Sequence, residues 1–267
     1  MKKRLISTLA MAPLLLLIYI GGIALWSLAL IVSIIGIYEF CNGWDKIGVR
    51  PSKPICYVMT VLLFLTYILL SSTESIGIYT STMINVWLFV SVAVSLIYGW
   101  QITKRGPYDS IATITALVYV PFFTYHLILI DRLQPIFVWI VIIAALGSDI
   151  FAYFTGHLFG KHKIAPNLSP KKTVEGAIGG IIGSSLLCWL FGYLFVNEMA
   201  TICLFLGVIG GFAGIAGDLT ASAFKRKMEI KDYSNLIPGH GGVLDRFDSV
   251  LFVAPVVYYL MRIILKV

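Results

Sequence analysis

The sequence predicts an all-α fold, a polytopic integral membrane bundle of about nine transmembrane helices. The chain of 267 residues is 59% hydrophobic and only 12% charged, and its mean hydropathy is +0.92. Soluble domains carry about 25% charged residues. The apolar residues also form runs of about 17 to 25 residues, which is the length needed to cross a bilayer. We therefore expect a single integral membrane domain over residues 1–267.

The apolar runs predict the positions of the helices in chain order. The first run follows Met1-Lys2-Lys3-Arg4 and is similar to a signal peptide, but it lacks a small-residue cleavage site, so we expect it to be retained. Only Gly21-Gly22 separates it from the second run. One long tilted helix there is the alternative, and it would reverse the orientation of everything that follows. The predicted helices are 5–20, 22–40, 55–72, 83–100, 111–130, 135–158, 174–197, 201–222 and 249–266.

The basic residues predict the orientation of the bundle. With nine spans, 17 of the 20 Lys and Arg residues fall on one side of the membrane. Because basic loops stay in the cytoplasm, we expect a cytoplasmic N-terminus, an external C-terminus and a location in the inner (cytoplasmic) membrane of the cell. Two long polar loops, 159–173 and 223–248, then face the cytoplasm, where nucleotides are found. The basic residues lie in short loops between apolar runs, which is the pattern that orients membrane proteins, so the net charge of +7 does not indicate a nucleic acid partner.

A dense polar block at 222–248 stands between two apolar runs. It holds four acidic residues, five basic residues, one histidine and three glycines. Just before it, Asp218 lies in the eighth run, where a carboxylate facing lipid would cost about 2.5 to 3.5 kcal/mol. If the helix continues, Asp218, Ser222 and Lys225 share one face. This pattern predicts either a functional site or a structural ion pair.

Within this block, the turn 238–242 is rich in glycine, which lets backbone N–H groups approach an anion closely. Asp245 and Asp248 follow and would lie on the same side of a new helix. Oxygen ligands next to an anion site suit Mg²⁺ bound to a polyphosphate, although acids at a helix N-terminus are also favoured by the helix dipole. His240 is expected to contact phosphate or to be an ordinary loop residue, rather than a zinc ligand.

The other cytoplasmic loop ends in the segment 169–172, where a hydroxyl and two lysines precede an apolar helix. This arrangement predicts a phosphate site, and its alternative explanation is the ordinary basic bias of cytoplasmic loops. Upstream, Asp149 is a second acid within the membrane, to which the sequence assigns no role. In the same run, Gly156 and Gly160 are expected to allow close helix packing.

These motifs resemble a known family. The segment 222–248 reads S-x-F-K-R-x4-K-D-x-S-x2-I-P-G-H-G-G-V-x-D-R-F-D, which is similar to the signature of the phosphatidate cytidylyltransferases, also called CDP-diacylglycerol synthases. The upstream segments SDIFAYFTGHLFGK and SPKKTVEG resemble the same family. Together the motifs cover roughly the C-terminal 45% of the chain. The resemblance divides the domain into N-terminal helices, 1–134, and a catalytic part, 135–267.

The resemblance implies a Mg²⁺-dependent transfer of CMP from CTP to phosphatidate at the bilayer surface, giving CDP-diacylglycerol and pyrophosphate. A second cation and a homodimer are also considered. Metal ligands would be Asp218, Asp245 and Asp248. Catalytic roles would belong to Asp218, Lys225, Arg226, Asp245 and Arg246, and substrate binding to Ser169, Lys171, Lys172, Ser222, Lys231, Gly239, His240, Gly241 and Gly242.

Other functions compete with this interpretation. An enzyme that uses CTP on another lipid phosphate would have the same polar motifs, because lipid tails contact generic apolar helices. An ion-coupled transporter would also place Asp149 and Asp218 within spans, but it needs its charge near the midplane, whereas the polar block lies at the surface. A CDP-alcohol phosphotransferase would need Asp-Gly, then Ala-Arg and two acids at four-residue spacing, which Gly242, Asp245 and Asp248 do not supply.

Overall fold

A computed structural model describes residues 13–70, 76–101, 104–237, 239 and 241–266. Within these ranges there are two isolated backbone bridges and no strand, so the all-α prediction is confirmed. Residues 13–20 are helical. The helices that follow are α1 (Gly22–Asp45), α2 (Lys53–Leu70), α3 (Ile76–Tyr98), α4 (Pro107–Leu117), α5 (Phe123–Leu133), α6 (Phe137–Phe159), α7 (Val174–Phe195), α8 (Ala200–Lys227) and α9 (Leu244–Leu265).

The polytopic character of the chain is also confirmed. A further apolar helix, Lys53–Leu69, is shorter than the seven spanning segments, and residues 5–12 of the predicted run 5–20 lie outside the described residues. Seven helical segments in the described part are long and apolar enough to cross a membrane: Gly22–Asp45, Ser81–Tyr98, Pro107–Leu133, Phe137–Phe159, Val174–Phe195, Asn197–Lys227 and Leu244–Leu265.

Several helices extend beyond the apolar runs that predicted them. The helix α1 continues to Asp45 rather than residue 40, α8 continues to Lys227 rather than 222, and α9 begins at Leu244 rather than 249. Hydropathy marks where a segment leaves the apolar layer, whereas the lysines and the arginine at the end of α8 favour helix in water as well. The polar ends of these helices were therefore predicted as loops.

One predicted span contains an irregular turn. Between α4 and α5, the segment Val118–Phe122 is a π-helix with Pro121 inside it. Proline has no N–H to donate, so a helix that contains one changes its hydrogen-bonding pattern locally. The helical path nevertheless continues, and Pro107–Leu133 remains a single span.

The chain forms two compact units. The first unit comprises the chain up to Ile128 together with Met228–Asp245, and the second comprises Leu129–Lys227 and Arg246–Lys266. In the first unit α1 packs against α2 and α4, and α3 packs against α2 and α4. The functional division into residues 1–134 and 135–267 follows different boundaries and stays a prediction.

In the second unit, glycines bring the helices into close contact. A Cβ atom at Gly180 of α7 would lie 2.8 Å from the carbonyl oxygen of Ser148 on α6. One at Gly217 of α8 would lie 2.6 Å from the carbonyl oxygen of Asp248 on α9. Gly156 packs against α7 as the sequence predicts, since its Cβ would be 3.5 Å from the Cα of Gly176. Small residues thus let polar side chains on neighbouring helices approach each other.

Candidate functional site

Three helices of the second unit each contribute one carboxylate to the same region. Asp149 lies on α6, Asp218 on α8 and Asp248 on α9, and their charges are close enough to interact. Asp248 is buried, with 8% of its surface exposed. The hydroxyl of Ser249 lies 3.3 and 3.5 Å from the two carboxylate oxygens of Asp149. Since like charges in a poorly solvated region repel strongly, nearby cations would stabilise this cluster.

Basic side chains of the same unit supply part of that compensation. The ammonium of Lys172 forms an ion pair with Oδ2 of Asp218. Lys225 acts electrostatically on Asp248, and Arg246 acts on Asp149. The region therefore alternates acids and bases, which is the arrangement needed to bind phosphates together with a metal ion.

A pocket of about 560 Å³ opens beside these charges. Its size is typical of ligand-binding pockets. Asp149 and Asp218 line it together with Lys163, Lys171 and Lys172. The remaining lining residues are Ala152, Tyr153, Gly156, His157, Ile164, Thr173, Gly176, Ala177 and Ile215. The pocket thus combines charged groups with an apolar and aromatic wall, and it suits a ligand that is itself amphipathic.

The loop between α6 and α7 presents the pocket's lysines. Glu175 accepts a hydrogen bond from the backbone N–H of Lys161 at 3.0 Å, and Nδ1 of His162 lies 2.6 Å from its Oε1. An antiparallel bridge joins Lys163 to Thr173. The loop is therefore folded back on itself at the start of α7, which fixes the backbone that carries the lysines of the pocket.

The end of α8 carries further residues that the sequence predicts to be functional. Because α8 is helical to Lys227, Asp218, Ser222 and Lys225 do share the predicted helix face. The Nε of Arg226 donates a hydrogen bond to the carbonyl oxygen of Leu168 at 3.3 Å, which ties α8 to the preceding loop. Ser169 is outside the lining of the pocket, and its carbonyl accepts the N–H of Lys172 at 3.1 Å.

The glycine-rich turn belongs to the first unit. Gly239 and Gly241 have φ angles of 80° and 82°, in the left-handed region that favours glycine. The N–H of Ile237 donates to the carbonyl oxygen of Gly241 at 2.9 Å and closes the turn. Pro238 and His240 lie outside the described residues, so the prediction for His240 stays a prediction.

Asp245 organises the end of the same segment. Its Oδ2 accepts the backbone N–H groups of Tyr233 and Gly242, each at 2.9 Å. The N–H of Gly242 is therefore bonded to Asp245. Phosphate binding by the turn remains a prediction. Lys231 is exposed in the preceding loop. The predicted site residues are thus distributed over both units, with Lys231, the described glycines of the turn and Asp245 in the first.

Two acidic or basic lining residues of the pocket, Asp149 and Lys163, had no role predicted from the sequence. Asp149 was noted as an acid within the membrane. Because a carboxylate there is energetically costly, its position was the sequence signal for a functional residue. Lys163 was counted only among the basic residues that orient the chain. What brings Asp149 and Lys163 to one pocket is the packing of α6 against α7 and the return of the intervening loop.

The carboxylates of the second unit fit a hard divalent cation. In the described part of the chain, no three His, Cys, Asp or Glu side chains converge as a complete metal cage. Mg²⁺ does not need one, because it is usually held by one or two carboxylates, water and the phosphates of its substrate. Asp218 and Asp248 provide oxygen donors of this kind near the basic residues that phosphates require.

Comparison with known proteins gives a consistent family. The model of the cytidylyltransferase family matches residues 2–264. The phosphatidate cytidylyltransferase of Bacillus subtilis is 31% identical over 276 residues, covering 98% of this chain and 98% of that protein. The one from Thermotoga maritima is also 31% identical, over 99% of this chain and 97% of its own. The one from Staphylococcus haemolyticus is 32% identical, with 96% of each chain covered. These matches include the N-terminal helices, which the motifs do not reach.

Proposed function

This chain belongs to the cytidylyltransferase family, and we propose on that basis that it transfers CMP from CTP to phosphatidate, giving CDP-diacylglycerol and pyrophosphate. The observation that carries the proposal for this structure is the pocket of the second unit. It joins the charges of Asp218 and Lys172 to an apolar wall that includes Tyr153 and Ile215. A phospholipid and a nucleotide together require such a combination.

The reaction forms one P–O bond and breaks another. An oxygen of the phosphatidate phosphate attacks the α-phosphorus of CTP, while the bond from that phosphorus to the bridging oxygen of the β-phosphate breaks. The electron pair leaves with pyrophosphate. No covalent bond to the protein is needed, so the protein contributes by holding both phosphates in line and by stabilising their charge.

The basic residues of the pocket are suited to that role. Lys163, Lys171 and Lys172 line it, and each offers an ammonium that can bind phosphate oxygens. Lys172 also neutralises Asp218 through Oδ2. We assign phosphate binding and orientation to these lysines, with Lys225 and Arg246 compensating the acids of α6 and α9.

For the cofactor we propose Mg²⁺, held by Asp218 and Asp248, with Asp245 as the further ligand that the family resemblance implies. Bound there, the ion would neutralise the triphosphate and favour departure of pyrophosphate. A second cation is part of the same proposal. The family resemblance, the oxygen donors and the neighbouring basic groups support it.

We further propose that the N-terminus and the two polar loops face the cytoplasm, in the cytoplasmic membrane. The bias of basic residues supports this orientation. Cysteine substitutions at Lys171 and Glu198, each labelled with a membrane-impermeant maleimide in intact cells and in lysed cells, would test it. Labelling of position 198 but not of 171 in intact cells is expected. The reverse pattern would contradict the orientation.

Pyrophosphate release by the purified protein in detergent tests the function. The reaction contains CTP, Mg²⁺ and phosphatidate, with ATP, GTP and UTP in parallel reactions and EDTA as the metal-free control. We expect release that requires CTP, phosphatidate and Mg²⁺ together. Asp245→Asn should lose it, whereas Glu198→Gln, at an exposed carboxylate between α7 and α8, should not.

The same assay also tests which lipid phosphate accepts the CMP. Release with a polyprenyl phosphate or an ether-lipid phosphate, but not with phosphatidate, would assign a different acceptor to the same chemistry. A folded protein that binds no CTP would contradict the proposed reaction itself.

A further inference from the structure

Glu39 is a buried acid in an otherwise apolar part of α1. Only 1% of its surface is exposed. Its Oε1 accepts the hydroxyl of Ser234 at 2.5 Å and the backbone N–H of Val243 at 2.9 Å. Its Oε2 accepts the backbone N–H of Leu244 at 2.8 Å. All of these partners belong to the polar segment 234–244 of the first unit.

The contacts of Glu39 hold the point where α9 begins. The first N–H groups of a helix have no partner within the helix, and a carboxylate is the favoured acceptor for them. Here the acceptor comes from α1, roughly two hundred residues earlier in the chain. An apolar side chain at position 39 would leave the N–H groups of Val243 and Leu244 without this acceptor, and a buried unpaired donor costs about 1 to 3 kcal/mol.

Gly242 is held between two carboxylates. Its N–H donates to Oδ2 of Asp245 at 2.9 Å. On the other side there is no room for a side chain, because a Cβ atom would lie 2.5 Å from Oε1 of Glu39. Glu39 and Asp245 therefore both lie next to Gly242, which directly follows Gly241 of the turn.

We infer that Glu39 is a positioning residue for the proposed reaction, which sets the glycine turn and Asp245 in their working geometry without touching substrate. The inference rests on the proposed function, because it assumes that this segment takes part in catalysis. A residue that positions reacting groups affects turnover more than stability, since a misplacement of about 1 Å can reduce a rate by about a hundredfold.

The test compares Glu39→Gln with Asp109→Asn. Asp109 is a matched control because it is also a buried carboxylate of the first unit, and it accepts the backbone N–H groups of Arg50 at 2.7 Å and Gly106 at 2.8 Å. For each variant we would measure the thermal midpoint, kcat and KM for CTP, the Mg²⁺ concentration for half-maximal rate, and hydrogen–deuterium exchange of the Val243 and Leu244 amides.

For Glu39→Gln we expect kcat to fall about 10- to 100-fold, a higher Mg²⁺ requirement, and faster exchange at Val243 and Leu244. Asp109→Asn should lower the thermal midpoint about as much as Glu39→Gln does. Its kcat and the exchange of the Val243 and Leu244 amides should stay near the wild-type values. Glu39→Asp, which keeps a carboxylate on a shorter side chain, should retain more of the rate than Glu39→Gln.

Two results would overturn the inference. One is a Glu39→Gln protein with wild-type kcat and protected amides. The other is a parallel loss of rate and stability in both variants, which would make Glu39 merely structural. If Glu39→Gln does not fold, Ser234→Ala can be used instead. It removes the hydroxyl that donates to Glu39 and should still reduce kcat severalfold. If the wild-type protein transfers no CMP but Glu39→Gln still shows faster amide exchange, the proposed function is contradicted. The positioning of the turn by Glu39 is then still supported.

Discussion

Lys172 and Asp218 form an ion pair that joins the loop before α7 to the helix α8. Both residues also line the pocket of the second unit. The pair uses Oδ2 of Asp218, while a carboxylate offers two oxygens for further ligands. The base proposed to bind phosphate and the acid proposed to bind metal are thereby placed side by side, an arrangement suited to phosphoryl-group chemistry.

Replacing the acid of this pair should stop the reaction. In Asp218→Asn we expect turnover to fall by on the order of a hundredfold or more, because the neutral amide neither holds Mg²⁺ nor balances Lys172. Pyrophosphate release by the folded variant is the measurement, and Glu198→Gln is the control. Turnover near the wild-type value would remove Asp218 from the metal site.

Replacing the base should have a different kinetic effect. Lys172→Ala leaves Asp218 without its ion pair and removes one ammonium from the pocket, so we expect KM for the phosphate substrates to rise about tenfold. Lys172→Arg keeps the charge and should retain most of the binding. An unchanged kcat/KM in Lys172→Ala would reduce the lysine to a signal for membrane orientation.

Asp149 should affect the metal requirement. It is one of three acids in the cluster, and the hydroxyl of Ser249 contacts it. In Asp149→Asn we expect the Mg²⁺ concentration for half-maximal rate to rise about tenfold, since one negative charge is lost from the region. Ser249→Ala, which keeps that charge, should change it much less. Identical Mg²⁺ titrations for wild type and Asp149→Asn would argue against this role.

Close helix packing should govern the stability of the second unit. A Cβ atom at Gly207 of α8 would lie 2.7 Å from the Cα of Ser185 and 2.8 Å from the Cβ of Cys188, both on α7. Gly207→Ala should therefore destabilise the protein by about 1 to 3 kcal/mol, as overpacking does. The thermal midpoint in detergent measures the effect.

The control for this prediction is Gly106→Ala. A Cβ atom there has nothing within 4 Å, and the φ angle of −116° suits any residue. Its midpoint should stay near the wild-type value. Equal midpoints for Gly106→Ala and Gly207→Ala would contradict a role for close packing of α7 and α8.

Much of the fold was predictable because the bilayer imposes a simple rule on the chain. Runs of apolar residues must be helical to satisfy their backbone groups in lipid, so the all-α class and the approximate helix positions follow from hydropathy. The ends were less predictable. The helix α8 continues to Lys227 through residues that belong to the polar block, because helix propensity and hydropathy are independent properties.

The candidate site was predictable where residues are close in sequence. Asp218, Ser222 and Lys225 share a helix face because the helical repeat alone brings them together. The glycine turn is also local, and the φ angles of Gly239 and Gly241 agree with it. The family resemblance added roles for these residues that spacing could not provide.

Contacts between distant segments depended on tertiary structure. The sequence identified Lys172 as a candidate and marked Asp149 only as an acid within the membrane, and it did not predict the pocket that both line with Asp218. Nothing in the sequence indicated that Glu39, near the end of the apolar run 22–40, accepts the first amides of α9. Local spacing determines which side chains share a helix face, whereas helix packing and loop closure decide which faces meet, because those depend on the shapes of many side chains at once.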